Sequence, residues 1–128
     1  MLKEGIKGTG EVVVTEALTA KTMGSGELDV YATPAMIALM EQTAYQSVGS
    51  ELEVGMGTVG TLMNVQHLAA SPVGMKISCE TELVEVDGRR LVFSVSASDE
   101  KGLIGKGTHE RFIVDNAKFQ TKADAKLQ

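Results

Sequence analysis

The stretch Thr33–Gly49, "TPAMIALMEQTAYQSVG", constrains the fold more than any other part of the chain. Its Thr-Pro head is a helix start, because a threonine hydroxyl accepts a backbone N–H bond and proline suits the first helical position. Gly49 is a stop signal. From Pro34 to Met40 no side chain is polar, so apolar groups point in every direction around the axis. Such a helix is expected to be enclosed by other structure. Its more polar second half, "EQTAYQSVGSE", is expected to emerge.

What encloses it is expected to be sheet. Residues 11–18, "EVVVTEAL", are β-branched and strand-like, and a loop punctuated by Gly24 and Gly26 follows. Beyond the helix the chain reads as strands over 58–70, 75–86, 90–98 and 103–114. Their turns are "SPVG", the hairpin pair Asp87-Gly88, and "DEKG". The polar tail from Asn116 is expected to be a loose end. The pattern predicts an α+β fold in one domain over residues 1–128, an antiparallel sheet of about five strands wrapped around one long central helix. That is the hotdog arrangement, although other sheet-on-helix folds fit the same pattern.

Composition narrows the function. The 128 residues are 43% hydrophobic and 23% charged, enough for one core and too ordered in pattern for a disordered chain. The net charge is −5 and no basic run exists, which argues against a nucleic-acid partner. No apolar run approaches the ~20 residues of a membrane span, and the N-terminus lacks the apolar core of a signal peptide. A cytoplasmic protein with no membrane partner is expected. One cysteine, Cys79, excludes an internal disulfide and a multi-cysteine zinc site, and in its strand "MKISCETEL" it reads as a buried, inert thiol. Two histidines and scattered carboxylates have no ligand spacing, so no metal is expected. Gly55, Gly57 and Gly60 lack the strand–turn–helix context of a dinucleotide loop, and no cofactor is expected.

Four polar residues stand out of place. Glu41 follows the apolar run directly. Either the helix surfaces there and the carboxylate is solvated, or it stands at the floor of a cleft, where a carboxylate serves as general base. Thr33 lies eight residues earlier, roughly 80° away around the axis and two turns along. It is a helix cap, a wall of the same cleft, or both. Strand alternation puts Val59, Thr61, Met63, Val65 and His67 on one face, with His67 toward the helix. There it is a bonded core histidine or the acid–base partner of a nearby carboxylate. His109 shares a face with Arg111, opposite Glu110, and reads as part of a salt-linked sheet surface.

Four segments carry a resemblance. "ATPAMIALMEQTA", "VGTLMNVQHLAASPVGM", "VDGRRLVFSVSASD" and "GKGTHERFIV" together resemble the fluoroacetyl-CoA thioesterase family of hotdog enzymes. They span most of the chain from Tyr31 to Val114, in family order and spacing. The resemblance implies a catalytic set of Thr33, Glu41 and His67. It also implies that Gly60 lies beside the thioester and that Arg111 supports the site. It implies an acyl-CoA substrate and a homodimer with its sites at the subunit interface. The family's phenylalanine-bearing lid before the threonine has no counterpart in "SGELDVYAT", where Tyr31 is the one aromatic residue. Short-acyl-CoA hydrolysis is therefore the implied activity, rather than selection of a fluorinated acyl group. A hotdog acyl-thioester hydratase or dehydratase and a non-catalytic acyl-CoA-binding dimer are the alternatives.

Overall fold

The computed structural model describes residues 1–128. Its strands are β1 (Lys7–Val13), β2 (Met56–His67), β3 (Lys76–Asp87), β4 (Arg90–Asp99) and β5 (Gly102–Asp115). Its helices are the short α1 (Ala20–Met23), the central α2 (Thr33–Val48) and α3 (Asn116–Asp124). The strands form one antiparallel sheet in the order β1-β3-β4-β5-β2, so β1 and β2 are its edges. Gly88, at a φ of 61°, makes the tight β3–β4 turn where Asp87-Gly88 predicts it. No helix is long and apolar enough to cross a membrane.

The sheet curls around α2. Its inward side chains are Ile77, Cys79 and Leu83 from β3, Leu91, Phe93 and Val95 from β4, and Ile104 from β5, all buried. Against them α2 lays Ala35, Met36, Leu39, Met40, Ala44 and Val48. Full burial of each large side chain contributes ~1.5–3 kcal/mol, so this one seam holds the fold together. Cys79 is buried as expected, and burial pushes its thiol pKa up.

Several expectations need correction. The helix is not enclosed on all sides. Pro34, Ala38, Gln42 and Tyr45 are exposed along one flank, because five strands wrap only part of the circumference of a helix. Its second half emerges on one face only: Gln42, Tyr45 and Gln46 are exposed, while Thr43, Ala44 and Val48 keep the buried stripe running to the last turn. The first strand begins earlier, at Lys7, and Glu16–Leu18 is a 3-10 turn. The strand expected over 58–70 leaves the sheet at His67, where the amides of Leu68 and Ala69 both turn to the Ile104 carbonyl. The tail is helical over Asn116–Asp124, started by the Asp115 side chain accepting from the Lys118 amide.

Candidate functional site

Two polar clusters line α2 on the side facing β2 and β5. The first is at the helix head. The N-cap of α2 is Ala32 and makes no side-chain bond, so Thr33 is the first helical residue and not the cap expected of it. Its hydroxyl is instead bonded to His67, with Oγ1 2.8 Å from Nδ1. The His67 ring stands edge-on to Tyr31, with centroids 6.4 Å apart. Its Nε2 is buried with no protein partner. Burial lowers the His67 pKa from its usual value, partly offset by the Ala69 backbone, and so favours the neutral ring. Small apolar groups, including Ala20, Val30, Ala69 and Ala70, wall this cleft of about 300 Å³.

The second cluster surrounds Glu41, two turns further along α2 and so ~12 Å along its axis. Glu41 sits at the margin of the buried stripe, with its side chain 43% exposed. It opens on a cleft of about 510 Å³ that runs along the open flank of α2, past Leu18, Tyr31, Ala38 and Tyr45. Arg111 reaches it from β5, with Nη1 3.4 Å from Glu41 Oε2. Both readings of Glu41 are thus partly met: it is half solvated, and it lines a cleft beside a cation. Arg111 itself is 6% exposed. It donates from Nε to Thr58 Oγ1 at 2.7 Å and from Nη2 to the Thr58 carbonyl at 3.0 Å. Its guanidinium carbon also lies 5.6 Å from the centre of the Tyr45 ring.

Gly60 is where Glu41 approaches the sheet. A Cβ built there falls 2.6 Å from Glu41 Oε2 and 3.3 Å from Arg111 Nη1, so a side chain would displace the carboxylate. Gly60 faces inward only because β2 carries a bulge. The register against β5 shifts between Gly60, paired with Arg111, and Leu62, paired with Glu110. The extra residue, Thr61, breaks the expected alternation. Val59 and Thr61 leave the inward face, while Met63 and Val65 pack on the core and His67 still meets the helix head.

His109 is also corrected. It is no part of a salt-linked surface but is 1% exposed, stacked on Phe93 at 6.2 Å and bonded to both Arg111 and the Leu62 carbonyl. The surface ion pair lies on the opposite face, where Arg90 holds Glu110 at 2.8 Å and Glu85 at 2.7 Å. Sequence reasoning also missed Thr58 and Tyr45. The period-two run Gly105, Gly107, His109, Arg111, Ile113 was the available signal for an inward histidine, but two glycines hide its apolar character.

The structure thus brings Thr33 to His67, and Glu41 to Gly60 and Arg111. Within one chain it forms no bond between Glu41 and either Thr33 or His67.

A family model described as the fluoroacetyl-CoA-specific thioesterase FlK matches residues 14–117. The chain belongs to this thioesterase family. The fluoroacetyl-CoA thioesterase of Streptantibioticus cattleyicolor is 42% identical over 98 residues, 77% of this chain and 70% of that protein. A solved structure of the fluoroacetyl-CoA thioesterase FlK superposes with a TM-score of 0.93 at 36% identity, covering 98% of each chain. A Thermus thermophilus member of the thioesterase superfamily is 30% identical with a TM-score of 0.89, covering 98% of this chain and 93% of that one. The family relation and the fold agree with the resemblance carried by the sequence, and the chain is a thioesterase with the hotdog fold.

Proposed function

We propose that this thioesterase hydrolyses short acyl-CoA thioesters to the free acid and coenzyme A, with Thr33, Glu41 and His67 as its catalytic residues. The observation that carries the reading is Glu41, a carboxylate open to a cleft, held by Arg111 and pressed against a strand position that has no side chain. Glu41 acts on the thioester carbonyl, by bonding to its carbon or by activating a water. Thr33 positions the reacting groups through its bond to His67. The free Nε2 of His67 is the nitrogen that serves the departing thiolate or the water. A backbone N–H near Gly60 stabilises the oxyanion, an effect typically worth ~3 kcal/mol. A structure of a threonine-to-serine variant of FlK in complex with acetyl-CoA, 34% identical over 99% of this chain, supports a short acyl-CoA as the substrate class.

The same reading includes a homodimer. β2 is twelve residues long and forms an open sheet edge, with Leu62 exposed on it. Antiparallel pairing of this edge with its copy carries the Gly60–Glu41 end of one chain toward the His67–Thr33 end of the other. The two clusters separated within a chain then meet across the interface.

The deciding experiment is release of free thiol from a series of acyl-CoA thioesters, fluoroacetyl-CoA included, with Glu41→Ala as control. Wild-type turnover on short chains, and a loss of ~10²–10⁴-fold in the variant without loss of the folded dimer, is expected. A Glu41→Ala enzyme as fast as the wild type would sink the assignment. A hydratase or a non-catalytic acyl-CoA-binding dimer would release no thiol.

A further inference from the structure

We propose that His109 is a positioning residue, a neutral hydrogen-bond acceptor that fixes the Arg111 guanidinium against Glu41. The inference rests on the role given to Glu41 above and adds to it the group that sets Arg111.

The chemistry of the partners dictates the state of the ring. His109 Nδ1 lies 2.8 Å from the Leu62 carbonyl oxygen, which can only accept. Its Nε2 lies 3.1 Å from Arg111 Nη1, which can only donate. One arrangement satisfies both, with the proton on Nδ1 and a lone pair on Nε2. A cationic ring would aim an N–H at the guanidinium, and the other neutral tautomer would break both bonds. The ring cannot turn away, because it is buried and stacked on Phe93 with planes 30° apart.

The consequence falls on Arg111. Thr58 takes its Nε and Nη2, leaving Nη1 to face Glu41 at 3.4 Å and His109 at 3.1 Å. The contact to Glu41 is long and half exposed, so the shorter, buried bond to His109 decides where Nη1 sits. His109 therefore ties three parts of the site together: the β2 bulge through Leu62, the guanidinium, and through it the carboxylate. A Cβ at Gly60 would lie 3.4 Å from His109 Cε1, so the ring also backs the close approach of Glu41 to the strand. The charged groups facing the ring are Arg111 from its own strand and Glu41 from α2. β2 offers the Leu62 carbonyl, and β4 offers Phe93. Burial is the largest influence on its pKa and acts downward; Arg111 also lowers it, and the Leu62 bond and Glu41 oppose.

The test compares two amides. The glutamine carbonyl reaches the position of Nε2 and can accept from Arg111, whereas the shorter asparagine reaches only the position of Nδ1. His109→Asn is expected to lower kcat for acyl-CoA hydrolysis ~10- to 100-fold with little change in KM, and His109→Gln to stay within ~3-fold of wild type. Wild-type kcat in His109→Asn, or parallel loss in both variants in step with a lowered unfolding temperature, overturns the proposal. The tautomer gives a reading that needs no variant at this position. The chain has two histidines, so ¹⁵N-histidine labelling with His67→Gln for assignment isolates the His109 signals. A neutral ring protonated on Nδ1 at about pH 7 is expected, and an Nε2–H or cationic ring overturns the proposal. If neither wild type nor variants release thiol, the hydrolase reading fails, while the tautomer still reports on the His109 geometry.

Discussion

At the scale of the residue, the site is built from groups whose neighbours leave them few choices. Gly60 is the sharpest case. An alanine there pushes its methyl group into the place of Glu41 Oε2, and Glu41, being half exposed, has solvent to swing into. Gly60→Ala is therefore expected to cost activity and not stability: kcat lower by ~10²-fold, and unfolding free energy within ~1 kcal/mol of wild type. Side-by-side kinetics and urea melts check this, and a fully active variant would mean that Glu41 works away from the strand. The two histidines predict how stability responds to acid. Burial lowers the pKa of both in the folded state, relative to the ~6.5 of an unfolded chain. Between the folded and unfolded values the unfolded chain binds more protons, so stability rises with pH across that window. Their contribution is complete above ~6.5 and is lost as pH falls through the folded values. Denaturant midpoints from about pH 5 to about pH 8 should show this slope, and His109→Gln should flatten it. An unchanged slope in that variant would place the titration elsewhere.

At the scale of the element, what the sequence makes legible depends on whether the signal is local. α2 is legible because Thr-Pro and Gly bracket it, and the β3–β4 hairpin because Asp-Gly demands one turn. Thr33, Glu41 and His67 are singled out by the resemblance; the structure bonds Thr33 to His67 and sets Glu41 on a cleft. The bulge at Thr61 was not, since one extra residue in a strand shows only against its partner's register. The start of β1 was hidden for a related reason. Its inward positions are Gly8 and Gly10, where a side chain would collide with Thr43 or Ser47 of α2, so the strand lacks the apolar alternation that announces one. Gly105 repeats the pattern on β5: its Cβ would come within 2.8 Å of Met36 Cε and 3.1 Å of the Gln66 carbonyl. Gly105→Ala is expected to destabilise the fold by ~1–3 kcal/mol, toward the low end because the tip of Met36 can bend aside. A thermal or urea melt reads this directly, and an unchanged midpoint would show that helix and sheet have slack there.

At the scale of the whole molecule, the division of the polar residues into two clusters is the feature that a single chain leaves unexplained. Glu41, Gly60 and Arg111 stand together, and Thr33 and His67 stand together, ~12 Å apart along α2. In the proposed homodimer, a twofold axis crossing the open edge of β2 would reverse the direction of the second chain, and each cluster would meet the other's complement. This makes a prediction that a site complete within one chain cannot share. Glu41→Ala and His67→Ala are each expected to be nearly inactive alone. If the variants are unfolded together and refolded as a mixture, half of the dimers combine one chain of each kind. Each such heterodimer carries one doubly damaged site and one intact site, so roughly a quarter of all sites should work again. Thiol release from the mixture measures that fraction, and tagged chains confirm that the heterodimer has formed. Heterodimers that stay inactive would show that Glu41 and His67 act from the same chain, and the ~12 Å between their clusters would then have to be closed by movement of α2 or the substrate's own span.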